Sequence, residues 1–114
     1  MIKKFEDIVA WQRAQMLALE VYSVCKSLKD YSFKDQICRA VVSISSNIAE
    51  GFDRSSDADF ARFLYISLSS CSEVKSMVYL AKNLNYVSHQ QSESLLSKAN
   101  EISKIIRGLI KSLK

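Results

Sequence analysis

The sequence predicts an all-α protein, an up-down-up-down antiparallel four-helix bundle, and three observations carry that prediction. Glycine occurs twice and proline not at all, too few breakers for the many turns of an all-β fold. Apolar residues recur at three- and four-residue steps over four separate stretches. The polar breaks between stretches are short, so successive helices must fold back on one another. With 114 residues and 48% hydrophobic content, the chain is expected to form one domain, residues 1–114, with a core that needs no disulfide or metal.

The first stretch predicts a helix from about Ile8 to Leu28 with Asp7 as its N-cap. Trp11, Ala14, Ala18, Val21, Cys25 and Leu28 fall on one stripe, and the polar segment Lys29–Ser32 interrupts the pattern. A second helix is expected from about Phe33 to Glu50, opened by a capping box of Ser32 and Asp35. Phe33, Ile37, Val41, Ile44 and Ile48 make its core side, and Gly51 is placed as the left-handed residue that ends it. The third helix starts after Ser56, where Asp57 and Asp59 complement the helix dipole, and stops near Asn83 to Asn85. Its core stripe is Phe60, Phe63, Leu64, Cys71, Val74, Val78 and Ala81. Ser88 and Gln91 form a capping box for the fourth helix, which runs to about Ser112 with a seam of Leu95, Ala99, Ile102, Ile106, Leu109 and Leu113.

Two features exceed what a monomeric bundle requires. The third helix has a second apolar strip, with Ile66, Met77 and Leu80 turned away from the Phe60 seam and Tyr65 and Tyr79 on its flank. Tyr, Met and Leu on an extra face are residues that interfaces favour, which predicts self-association; the competing explanation is a wide core stripe with ordinary surface scatter. On the second helix, Arg39, Ser43, Asn47 and Glu50 lie in line, joined by Ser46, while Ser45, Ser46 and Ala49 keep the profile thin. This pattern predicts a hydrogen-bonded network packed against a neighbouring helix or subunit, against the alternatives of a plain solvated face or a ligand contact.

Several chemistries lack their residues. A di-iron centre needs Glu-x-x-His on two helices, and the single histidine, His89, sits in a capping turn with no carboxylate three residues before it. Two glycines cannot build a phosphate-binding loop. Cys25, Cys38 and Cys71 are odd in number, widely spaced and without a CxxC pair, so they read as buried small hydrophobes rather than disulfides, metal ligands or nucleophiles. Glu50 and Glu73 could approach one another, but such a pair without a cleft signature is usually salt-bridged. No enzyme activity, metal or cofactor is expected. No apolar run approaches the ~18 residues of a membrane span. The segment MIKKFEDIVAW has acidic residues where a signal peptide needs its apolar run, so no membrane association and a cytoplasmic location are expected.

Three blocks carry a family resemblance: Phe5 to Gln12 (FEDIVAWQ), Arg39 to Gly51 (RAVVSISSNIAEG) and Arg62 to Tyr65 (RFLY). Together they resemble the bacterial four-helix-bundle family encoded within intervening sequences of 23S ribosomal RNA genes, over roughly Phe5 to Tyr86. That resemblance implies a homopentamer of bundles around a central channel. More distantly, the chain is similar to the accessory variability determinant protein of diversity-generating retroelements, also pentameric, which binds nucleic acid and a reverse transcriptase. The family's polar positions map onto Arg39, Ser43, Asn47, Glu50 and Arg62. Ser45 departs from the pattern, standing where the family usually has proline, which implies a straighter second helix here.

Formal net charge is +4, and residues 83–114 hold most of the surplus. Lys104, Arg107, Lys111 and Lys114 recur at three- and four-residue steps, expected opposite the Ile102–Leu113 seam and without aromatic residues among them. Such a row can bind phosphates by charge neutralisation and counterion release, with Arg54 and Arg62, and also Arg13, extending it. The competing explanation is a solvated face with cations favouring the helix C-terminus. The expected function is therefore a non-catalytic homo-oligomer that binds RNA or DNA with little sequence preference. The alternative is a protein-interaction adaptor or scaffold for a nucleic-acid enzyme such as a reverse transcriptase.

Overall fold

Four α-helices follow a short 3-10 turn at Phe5–Asp7: α1 (Val9–Cys25), α2 (Tyr31–Phe52), α3 (Asp57–Asn83) and α4 (His89–Ser112). The structure is a computed structural model that describes residues 1–114. Each helix packs against its neighbours in sequence and α4 closes on α1, while the backbones of the diagonal pairs stay apart. All four contacts are antiparallel: Ser43 and Gln36 of α2 meet Ser70 and Glu73 of α3 in reversed order, and Arg13 and Glu20 of α1 meet Glu101 and Lys98 of α4 likewise. The long axis of 43 Å matches the 27 residues of α3, about 40 Å of helix at ~1.5 Å per residue.

The core is one cluster, and its largest fully buried members come from all four helices: Leu17 and Val21, Ile37, Val41, Ile44 and Ile48, Leu64, Val74 and Val78, Leu95, Ile102 and Ile106. On α1 the buried stripe is Ala10, Ala14, Leu17, Val21 and Cys25. The expected Trp11, Ala18 and Leu28 lie at its margin, only partly buried. The reason is that α1 is apolar around much of its circumference, so two stripes compete in the sequence and packing chooses between them.

The helix ends show which local signals operate. Asp7 does not cap α1; Ile8 stands at the N-cap with no side-chain bond, and Asp7 belongs to the preceding turn. Packing holds this entry instead, through buried Ile8 and an edge-on contact of Phe5 with Trp11 at 5.3 Å. The capping box of Ser32 and Asp35 does not form either. Asp30 caps α2, accepting from the Phe33 amide at 3.2 Å, and its other oxygen accepts from the Tyr86 hydroxyl at 2.7 Å. Ser56 caps α3 by accepting from the Asp59 amide, and Ser88 and Gln91 make both bonds of a capping box on α4. Asn85, at φ 61°, closes α3 in a Schellman motif, with Tyr86 N–H donating to Ala81 and Asn85 N–H to Lys82.

Gly51 does not end α2. The helix runs on to Phe52, and Gly51 is buried without a positive φ. A Cβ built there would lie 2.6 Å from Cβ of Phe63 and 3.0 Å from the Phe60 ring. The residue is glycine because α3 passes too close for any side chain. Small residues continue this close approach: Ser67 Oγ donates to the Ile44 carbonyl at 2.7 Å, and Ser70 Oγ donates to Ser43 Oγ at 2.9 Å. Ser45 is also buried, donating to Val42 O and accepting from Gln15 Nε2 at 3.0 Å, and α2 continues through it without interruption.

Gly51→Ala should destabilise the bundle by about 1–3 kcal/mol through overpacking. Gly108→Ala, on α4 with nothing within 4 Å of the new Cβ, should stabilise it by about 0.5–1 kcal/mol. Urea unfolding of the two variants measures both signs. A second expectation concerns pH. The Tyr86 hydroxyl and then the Phe33 amide hold Asp30 below 3.8, while the same hydroxyl bond holds Tyr86 above 10.0. The Asp30 contribution is full above its unfolded value and is lost as pH falls through the folded one. The Tyr86 contribution is full below its unfolded value and is lost as pH rises through the folded one. Melting curves of the natural chain and Tyr86→Phe should therefore differ most at neutral pH and draw together at both extremes.

Candidate functional site

The row comprises Lys104, Arg107 and Lys111 of α4 and Lys114 just beyond its end, all exposed. At 100° per residue the three helical positions span about 60° of arc, so they share one side of the helix. That side does not stand opposite the buried seam, as the sequence suggested, but on the flank toward α3. Arg107, Lys111 and Lys114 line a hollow of about 250 Å³ with Tyr65 and Leu68 of α3. Lys104 lines a second hollow, of about 630 Å³, with Tyr79 of α3 and with Leu96, Asn100, Glu93 and Glu101. No aromatic residue of α4 itself stands in the row, as expected, but tyrosines of the neighbouring helix border it. Neither spacing on α4 nor spacing on α3 alone could show that their flanks meet.

No member of the row is held in an ion pair. The chain makes three ion pairs: Arg13 with Glu101, Lys98 with Glu20, and Arg62 with Asp59 at 3.3 Å. Two of these tie α4 to α1, on the other flank of α4, and neutralise Lys98 and Glu101. None involves Lys104, Arg107, Lys111 or Lys114.

Arg54, in the α2–α3 connection, and Arg62, in the second turn of α3, each place a guanidinium over the Phe63 ring, at 4.6 Å and 5.3 Å from the centroid. Arg54 also lines a hollow with Ser112 and Leu113, which places it at the same pole of the bundle as the end of the cationic row. Arg62 is partly neutralised by Asp59. Arg13 is not part of the row, since it pairs with Glu101 across the α1–α4 contact.

The polar line on α2 divides. Asn47 Nδ2 donates to both the backbone carbonyl and the hydroxyl of Ser43, at 2.8 and 2.9 Å, and Ser43 accepts from Ser70 of α3. The network therefore packs against a neighbouring helix. Arg39 is exposed and lines a polar groove of about 610 Å³ with Asp35, Gln36, Ser70 and Glu73, while Glu50 is exposed further along α2. Glu50 and Glu73 do not meet. Glu73 accepts from Gln36 at 3.3 Å, and Glu50 stands fourteen residues beyond Gln36, about 21 Å along the helix.

On α3, Tyr65, Ile66, Tyr79 and Leu80 remain between 42% and 58% exposed. Met77 does not belong with them: it is 7% exposed and packed in the core, on the side of α3 that meets α2. The more prominent exposed apolar pair, Met16 and Leu19 at 65% and 72%, lies on the outward side of α1 and was missed. The signal was their i, i+3 spacing on a helix whose other stripe was taken as the core. No group of three or more His, Cys, Asp and Glu could hold a metal ion. No helix is long and apolar enough to cross a membrane. The three cysteines are free and buried, and burial pushes Cys25 and Cys71 up to about 11 and raises Cys38.

Fold and surface together define a class: a small antiparallel four-helix bundle whose polar interior contacts are internally satisfied and whose free cations gather in a groove between two helices. Within that class the chain belongs to the 23S rRNA-intervening sequence protein family, whose model matches residues 6–108. Among solved structures it is similar to a protein of unknown function from the S23 ribosomal protein family of Bacteroides thetaiotaomicron. That likeness has 28% identity and a TM-score of 0.84, and covers 90% of this chain and 99% of the other. No curated protein matches.

With their thiols held protonated at neutral pH, Cys25 and Cys71 should resist alkylation in the native chain and react fully only in denaturant. Timed labelling read by mass spectrometry checks this.

Proposed function

We propose that this chain is a non-catalytic, self-associating bundle that binds RNA or DNA, without strong sequence preference, through the α3–α4 groove. The observation that carries the proposal is the set of four cations, Lys104, Arg107 and Lys111 on one flank of α4 and Lys114 just beyond its end, none held in an ion pair and only Lys104 with acids in its hollow. Unpaired cations in a row suit a polyanion, because each phosphate neutralised releases condensed counterions. Arg54, at the same pole, extends the row, with Arg62 a weaker contributor beside Asp59. Self-association is supported by the apolar side chains left in water on outward sides, Met16 and Leu19 of α1 with Ile66 and Leu80 of α3. A ring of five copies is the assembly we propose, and arrays of one groove would raise a modest affinity by avidity.

Light scattering should give a mass near five times 12.9 kDa, and a monomer would end the oligomer proposal. Four phosphate contacts predict that log K falls against log salt with a slope of about −3 for single strands. Reversing Lys104, Arg107 and Lys111 to Glu should abolish binding in a filter assay while leaving mass and helicity unchanged. Unaltered binding would sink the nucleic-acid proposal and favour an adaptor that holds a protein partner.

A further inference from the structure

We infer that the ligand of the α3–α4 groove is a single strand rather than a duplex, with Tyr65 as a platform on which a base stacks and Tyr79 as a weaker second one. This rests on the nucleic-acid proposal above and adds the form of the ligand. Tyr65 is 48% exposed, and its ring lines the hollow that also holds Arg107, Lys111 and Lys114. Leu68 and Ile110 give that hollow an apolar floor. The Tyr65 and Tyr79 hydroxyls make no hydrogen bond within the chain, so neither ring is committed to another task. An exposed aromatic face beside three free cations matches what a nucleotide presents, a flat π-face joined to a charged phosphate.

A duplex cannot use this arrangement. Its base faces are already stacked, and reading its edges requires a helix or ribbon that enters a groove of the DNA. Here the cations lie in a hollow between two helices packed side by side, so the protein supplies the concave partner. Tyr65 and Tyr79 are fourteen residues apart, nearly four helical turns, so they look out from almost the same side of α3 about 21 Å apart. The two ends are unequal. The hollow at Tyr79 contains Glu93 and Glu101 beside Lys104, whereas the hollow at Tyr65 contains no acid. Stacking is therefore anchored at Tyr65 and weaker at Tyr79. Asn100, the amide side chain at the groove, already accepts from Lys75 at 3.1 Å, which leaves little to read base identity.

The test uses the full chain and a fluorescent 15-nucleotide oligothymidylate, with a duplex of equal length as competitor. The single strand should bind at least tenfold more tightly. Tyr65→Ala should weaken it by about 5- to 100-fold, Tyr65→Phe should retain it, and Tyr79→Ala should cost less than Tyr65→Ala. A Tyr65→Trp variant should show fluorescence quenching on binding beyond that of the natural chain, whose sole tryptophan is Trp11. Equal affinity for the duplex, or indifference to Tyr65→Ala in a variant of unchanged helicity, overturns the inference. A change of mass in Tyr65→Ala also overturns it, because a second copy would then occupy the groove. If neither strand binds in a salt-dependent way, the nucleic-acid proposal fails first, a result distinct from duplex binding that the cation reversal abolishes.

Discussion

The close approach of α2 to α3 is the constraint on which the rest of the molecule depends. Gly51 has no room for a Cβ beneath Phe63, and Ser43, Ser67 and Ser70 replace bulk with short hydroxyl bonds along the same contact. Bringing two backbones this near would strand polar groups in a dry seam if any hydroxyl lacked a partner. None does, because every buried side-chain nitrogen and oxygen is satisfied. The contact fixes the rotation of α3 about its own axis. That rotation turns Met77 inward and presents Tyr65 and Tyr79 toward α4. A surface feature of the α3–α4 side is thus determined by packing on the opposite side of α3.

The two flanks of α4 illustrate how charge is allotted. Toward α1, Glu101 and Lys98 find opposite charges in Arg13 and Glu20, and Ser94 adds a bond to Glu20. Exposed pairs of this kind contribute little to stability, but they remove those charges from the field that a distant ligand feels. Toward α3 there is no such pairing, and only Lys104 has carboxylates in its hollow, Glu93 and Glu101. The asymmetry is a property of one helix and divides it into an edge tied to α1 by ion pairs and an edge whose cations are unpaired.

Much of this was legible in the sequence. The four helices, the start of α3 after Ser56, the capping box at Ser88, the core line of α2 and the Leu95–Ile106 part of the α4 seam follow from periodicity and local hydrogen-bond chemistry, which act within a few residues; Leu109 and Leu113 are only partly buried, and Ile110 takes the core position instead. The errors fall where a distant residue decides. Asp30 rather than Ser32 caps α2, because Tyr86, fifty-six residues away, engages the same carboxylate. Gly51 looked like a helix terminator because its real reason, Phe63, lies on another helix. The cations on α4 were visible as a row, but their aromatic neighbours were not, since pairing of flanks is decided by the rotation of each helix in the assembled bundle.

The bond between Asp30 and Tyr86 gives the bundle two unlike poles. Asp30 belongs to the α1–α2 connection and Tyr86 to the α3–α4 connection, and the Tyr86 ring also meets Phe33 edge-on at 5.3 Å. One pole is latched by a charged hydrogen bond and an aromatic contact between both of its loops. The other pole gathers the α2–α3 turn, Met1 and Ile2, and the last turn of α4 around a shallow hollow, with an edge-on contact of Phe52 and Phe60 at 5.8 Å but no hydrogen bond that ties its two loops together. Hydrogen exchange should therefore be faster at the unlatched pole. The end of α4 that carries Lys111, with Lys114 beyond it, belongs to the pole without the latch.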